Sequence, residues 1–287
     1  MSATRSNYAK ARMKAGQIAV QAWPSLKSFL SRPDLFSGFL TRPDPERVDL
    51  VVLGSSSSEA FDYAIGPDPR YHPFWAGAWS ARFLLRNDMQ AYVRHILNPM
   101  PRNSHVLLNF GVADVIFNAR YKAVKAGFYR FEAMVEEAVH AILMTHATVR
   151  SMGFRSVYPV FIAPVIELGE DYWQQTGPGR QLPMRLLGNM YHGIFEGVSA
   201  RVECLDTFDA LSQGGEGAWL LKKEFARITP DHHPDYIKMH DVIRDLLNAL
   251  PGAPKGREEP LKEHYAFENT FVTELITRKA TRQSTCR

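Results

Sequence analysis

The chain has 287 residues, 45% of them apolar, and carries 34 Lys and Arg against 30 Asp and Glu, a formal charge of +4. That length and balance suit one α/β domain with extensions, and they exclude a disordered, collagen-like or low-complexity chain. Residues 1–47 hold 8 basic against 3 acidic side chains, residues 48–250 hold 19 against 22, and residues 251–287 hold 7 against 5. The excess positive charge therefore belongs to the two ends, and the core is not expected to bind nucleic acid or another polyanion.

In chain order, Ser6 to Trp23 reads as a basic amphipathic helix, ended by Pro24, and residues 31–47 as a Pro-punctuated connector. Val48 to Leu53 is a short apolar run suited to a buried parallel strand, closed by Gly54. A helix is expected from Ala78 to Leu97, a strand from Ser104 to Phe110, and a long helix from Phe128 to Met152 closed by Gly153. Arg155 to Ala163 supplies another strand, Leu182 to Val198 a helix, Ala200 to Leu205 a strand, and Asp235 to Ala249 the last helix. Strands alternating with helices imply a three-layer α/β/α domain with a mostly parallel sheet over residues 48–250, flanked by an N-terminal extension (1–47) and a C-terminal one (251–287).

Two cysteines, Cys204 and Cys286, cannot build a disulfide framework and point to a reducing, cytoplasmic setting. No secretory-type apolar stretch opens the chain, and no run is long enough to span a bilayer.

In open parallel sheets, ligands bind beyond the C-terminal ends of the strands. There the chain places Gly54-Ser55-Ser56-Ser57-Ser58, then Gly111-Val112-Ala113-Asp114, and ahead of the last helix Asp231-His232-His233-Pro234. A serine on a strand-to-helix turn, an imidazole and a carboxylate are the components of an activated alkoxide nucleophile. The same serine turn could instead cradle a phosphate with its N–H groups, although it lacks the Lys of a Walker loop. The Asp/His cluster contains metal-capable side chains without a recognised ligand spacing, so neither a metal nor a cofactor is implied. Gly66 to Trp75 reads as a loop of aromatic and imidazole rings, suited to packing or to a cyclic acyl acceptor such as a sugar.

Taken together and in this order, the motifs resemble the blocks of the SGNH or GDSL-type hydrolases and acyltransferases, a family with a flavodoxin-like α/β/α fold. Val51 to Ser57 resembles the first block, with Ser56 at the nucleophile position and Ser55 where Asp is usual. Trp75 to Arg82 is similar to the second, which puts Gly77 among the oxyanion donors. Gly111 to Asp114 resembles the third, which makes Gly111 and Asp114 oxyanion or substrate-binding candidates. Asp231 and His233 take the acid and base positions of the last block, with His232 as a rival base.

Two departures stand out. Ala113 replaces the Asn whose amide helps hold the oxyanion, with Asn109 or Asn118 as candidate substitutes, and the last block is Asp-x-His, a spacing seen in alginate-acetylating acyltransferases. The resemblance implies a serine-dependent esterase or O-acyltransferase acting on a small-molecule or glycan ester. Its alternative is a catalytically degenerate domain that binds a glycan, nucleotide or protein.

Overall fold

The computed structural model describes residues 47–66, 68, 70–75, 79–127, 129–175, 182–214, 219–228 and 231–261. The expected N-terminal helix and most of its connector, the chain beyond residue 261, and Gly77 lie outside the described residues.

Among the described residues, five parallel strands make the sheet, in the order β2-β1-β3-β4-β5. They are β1 (Leu50–Gly54), β2 (Tyr71–Trp75), β3 (His105–Asn109), β4 (Ser156–Phe161) and β5 (Leu205–Asp206). Every residue of β1 and β3 is buried, which explains why both read as unbroken apolar runs rather than alternating patterns. Their register sets Gly54 beside Asn109, so the two chain ends that leave the middle of the sheet emerge together.

The helices are α1 (Glu59–Ile65), α2 (Asn87–Leu97), α3 (Arg120–Ala126), α4 (Phe131–Ser151), α5 (Glu170–Gln175), α6 (Met184–Ser199), α7 (Phe208–Leu211) and α8 (His240–Asn248). Right-handed crossovers place helices on opposite faces when the chain steps in opposite directions across a parallel sheet. The step from β1 to β2 puts α1 on one face, where α8 packs against it, and the return steps put α2, α4 and α6 together on the other. This is the expected three-layer α/β/α fold with the flavodoxin-like strand order.

Several local expectations change. The ring-rich stretch before Gly77 contains edge strand β2 instead of a loop, and its Pro73 is tolerated because only β1 needs to pair there. Pro159 is accommodated inside β4 for a similar reason, since β5 pairs only with Val160 and Phe161. The strand expected at Ala200 to Leu205 shrinks to Leu205–Asp206, because helical turn persists through Ala200 and Arg201. The helix expected from Ala78 to Leu97 breaks at Arg86, which is extended between a 3₁₀ segment, Ala81–Leu85, and α2. Residues 251–261 stay on the body: Ala253 is buried, and the Arg257 and Leu261 N–H groups donate to the carbonyls of Ala64 and Tyr63 on α1.

Candidate active site

Ser56 sits where β1 turns into α1. Ser55 is extended, Ser56–Ser58 form a 3₁₀ turn, and α1 follows without a gap. The turn is pinned to β3. The Ser55 N–H donates to the Asn109 carbonyl at 3.1 Å, and the buried Asn109 amide lies 3.1 Å and 2.8 Å from the hydroxyls of Ser57 and Ser58. Gly54 permits this approach: a Cβ there would stand 2.4 Å from the Asn109 carbonyl oxygen and 2.4 Å from Ser58 Oγ. Asn109 is thus committed to the turn, which corrects its candidacy as a substitute oxyanion donor.

The fold carries Asp231–Pro234 to this turn across 177 residues of sequence: Ser56 Oγ and His233 Nε2 are 2.8 Å apart. On the other side of the ring, His233 Nδ1 lies 3.0 Å from Asp231 Oδ1, which also accepts the His233 backbone N–H at 3.3 Å. Asp231 is a carboxylate here, so Nδ1 is the donor and Nε2 is left to accept from the serine hydroxyl. The two-residue spacing works because the loop turns back on itself, letting one carboxylate oxygen take both the main-chain and the ring N–H of His233.

Residues outside these motifs complete the arrangement. The Arg227 guanidinium, almost fully buried, donates from Nη1 to Asp231 Oδ2 at 2.7 Å and from Nε to the Pro234 carbonyl at 3.1 Å. The buried Tyr236 hydroxyl donates to the Ser56 carbonyl at 3.3 Å. Tyr172, on α5, hydrogen-bonds to His232 Nδ1, and its oxygen accepts the His232 N–H at 3.3 Å. His232 Nδ1 also lies 3.1 Å from Asp231 Oδ1, so His232 faces Asp231, Tyr172 and Phe117, not Ser56. Arg227 had one faint signal, its four-residue spacing to Asp231; Tyr172 and Tyr236 had none, because only tertiary packing brings them here.

The electrostatics match this geometry. Burial disfavours ionisation of Asp231, but hydrogen bonds from His232 and His233 outweigh it and hold the carboxyl well below the usual carboxylate range. Burial, reinforced by neighbouring His232, lowers His233 to about 4 against the opposing pull of Asp231, so the imidazole is neutral near pH 7.

Asp231, His232 and His233 bring three metal-capable atoms within 4.8 Å of one another. However, Asp231 Oδ1 already lies 3.0 Å from His233 Nδ1 and 3.1 Å from His232 Nδ1, and Oδ2 faces the Arg227 guanidinium at 2.7 Å, so a cation would have to break these ring contacts beside a fixed positive charge. The set is better suited to hydrogen bonding than to ligation.

The remaining candidates are distributed differently. Gly111 has φ +106°, and a Cβ there would lie 3.2 Å from the Tyr191 ring, so it serves the backbone path out of β3. Asp114 does not line the cleft: its carboxylate accepts the N–H groups of Ala81 at 2.6 Å and Arg82 at 3.2 Å, at the start of the 3₁₀ segment after Gly77. It positions that segment and is not placed to touch a ligand. Burial pushes the Asp114 carboxyl up to about 6, against those two hydrogen bonds. Ala113 lines the cleft, and Asn118 does not.

The cleft itself, about 480 Å³ including the part open to solvent, lies over the ends of β1, β3 and β4. Ser56 and His233 form one wall, and Val112, Ala113, Ile116, Ile162 and Ala163 form much of the remainder. No helix among the described residues is long and apolar enough to cross a membrane.

No protein-family model and no curated protein matches the chain. Among solved structures, it is similar to a protein from Streptococcus pneumonia described as a candidate platelet activating factor, at 16% identity and a TM-score of 0.47, covering 83% of this chain and 98% of the other. It is also similar to an alpha/beta hydrolase enzyme from the metagenome of Lake Arreo, Spain, at 16% identity and a TM-score of 0.35, covering 70% and 93%. Likeness at this level does not decide a reaction, so the chemistry has to be read from the side chains.

Proposed function

We propose that the chain is a serine-dependent esterase or O-acyltransferase of the SGNH type, with Ser56 as nucleophile, His233 as general base and Asp231 as the group that orients the imidazole. The observation that carries this reading is the continuous hydrogen-bonded series Ser56 Oγ to His233 Nε2 at 2.8 Å and His233 Nδ1 to Asp231 Oδ1 at 3.0 Å, at the wall of a cleft. A serine hydroxyl is a weak nucleophile alone; a neutral imidazole within hydrogen-bond reach and held in one tautomer removes that weakness.

In the first half-reaction, Ser56 Oγ bonds to the ester carbonyl carbon as its proton passes to His233 Nε2. The tetrahedral oxyanion collapses, the carbon–oxygen bond to the alcohol breaks, and the leaving oxygen takes the proton from Nε2. In the second, a water or acceptor hydroxyl gives its proton to Nε2 and attacks the acyl carbon; the bond from that carbon to Ser56 Oγ breaks, Oγ takes the proton back from Nε2, and the acid or new ester is released. Ser56 opens the 3₁₀ turn, so its own N–H has no acceptor within that turn and is available to the oxyanion. The resemblance assigns the second donor to the Gly77 N–H. Ala113 removes the side-chain donor usual in the family, leaving oxyanion stabilisation to backbone groups.

The reading is tested by treating the protein with a fluorophosphonate and by measuring turnover of p-nitrophenyl acetate and butanoate. Stoichiometric modification of Ser56, its loss in Ser56→Ala, and Ser56-dependent turnover are expected. A folded protein that is neither labelled nor active on either ester would overturn the enzyme reading in favour of a binding domain.

A further inference from the structure

Resting on that reading, we infer that the cleft selects an uncharged, apolar acyl group, and that Ala113 and Ala163 set this preference. His233 Nε2 must reach the leaving oxygen, so the alcohol lies on the His233 and His232 side of Ser56. The acyl group then extends the other way, over the ends of β3 and β4, where Val112, Ala113, Ile162 and Ala163 line the cleft together with the buried Tyr191.

Among the described residues, no Lys, Arg, Asp or Glu side chain lines the cleft. A carboxylate or phosphate on the acyl chain would give up its hydration there without a counter-charge. Apolar chain atoms gain from the same wall, and each methylene that leaves water multiplies kcat/KM by about fourfold. Ala113 acquires a second meaning in this light. Where the family resemblance puts an amide, this chain puts a methyl group on the cleft wall, exchanging a polar donor for apolar acyl contact.

The experiment compares p-nitrophenyl acetate, butanoate and hemisuccinate, the last carrying a carboxylate on a chain of similar length, with wild type, Ala113→Leu and Ala163→Leu. Wild-type kcat/KM should rise about fifteenfold from acetate to butanoate, which adds two methylenes, and fall by at least about a hundredfold from butanoate to hemisuccinate. Each leucine variant should lower the butanoate-to-acetate ratio by about fivefold or more; because this ratio is measured within one preparation, partial misfolding does not disguise it.

Equal rates on acetate and butanoate, tolerance of the hemisuccinate, or leucine variants with the wild-type ratio would overturn the inference while Ser56-dependent turnover leaves the esterase reading standing. Absence of both turnover and Ser56 labelling would overturn both.

Discussion

Asp231→Asn is the most incisive test of how the site holds its proton. The carboxylate serves two masters: Oδ1 accepts from His233 Nδ1 at 3.0 Å, and Oδ2 accepts from Arg227 Nη1 at 2.7 Å. An amide has one acceptor oxygen, so one of these contacts must face an NH₂ group. A hydrogen bond to a charged partner contributes about 1.5–3 kcal/mol against about 1 kcal/mol for a neutral one, so the oxygen should turn to Arg227 by a margin of about 0.5–2 kcal/mol. The NH₂ then faces His233 Nδ1, which has to become an acceptor, and the ring proton moves to Nε2. In that tautomer Nε2 donates toward Ser56 and cannot remove its proton.

The expected loss in kcat is about four orders of magnitude, the scale seen when this kind of triad is held in the wrong tautomer, or about 5 kcal/mol of barrier. The assay is p-nitrophenyl butanoate hydrolysis per folded molecule, with near-UV circular dichroism reporting the folded fraction and ¹⁵N NMR of the imidazole reporting the tautomer. A loss of less than about a hundredfold, or a variant that keeps its proton on Nδ1, would refute the reasoning.

Three further predictions follow from the same geometry. Because His233 acts as a base only when neutral, and burial lowers it to about 4, kcat/KM should rise with pH through an inflection near that value and then level off; an acid limb centred at or above the ordinary histidine value of 6.5 would contradict this. Asp114, raised to about 6 from 3.8, binds its proton more readily folded than unfolded, so its contribution to stability is fully present below pH 3.8 and is lost as pH rises through about 6. Asp114→Asn should therefore remove a downward slope from the urea midpoint between pH 4 and 6, and an unchanged slope relative to wild type would count against it. Gly54→Ala should cost about 1–3 kcal/mol in urea unfolding, since its Cβ would press to 2.4 Å against the Asn109 carbonyl and Ser58 Oγ; a stability equal to wild type would show that the β1 and β3 ends can separate freely.

The amino-acid sequence by itself determined the layered α/β character of the domain. Strands buried on both faces, such as Val51–Leu53 and Val106–Leu108, have to be continuously apolar, and helices of the length of α4 and α6 carry their own periodicity. It also brought forward Ser56, Asp231 and His233 as candidates, Ser56 because it follows a parallel strand and all three because their motifs resemble the blocks of one family in order. Edge strand β2 was hidden by Pro73, and β5 by polar neighbours and its two-residue length, because an edge needs only one paired side and little apolar sequence.

Only the tertiary structure decided which groups serve which. It gave Asn109 to the serine turn and Asp114 to the backbone of Ala81 and Arg82, turned His232 toward Tyr172, and brought Arg227 and Tyr236 against Asp231 and Ser56. Side-chain direction and partnership across 177 residues depend on strand order and crossover direction, and local sequence does not encode these.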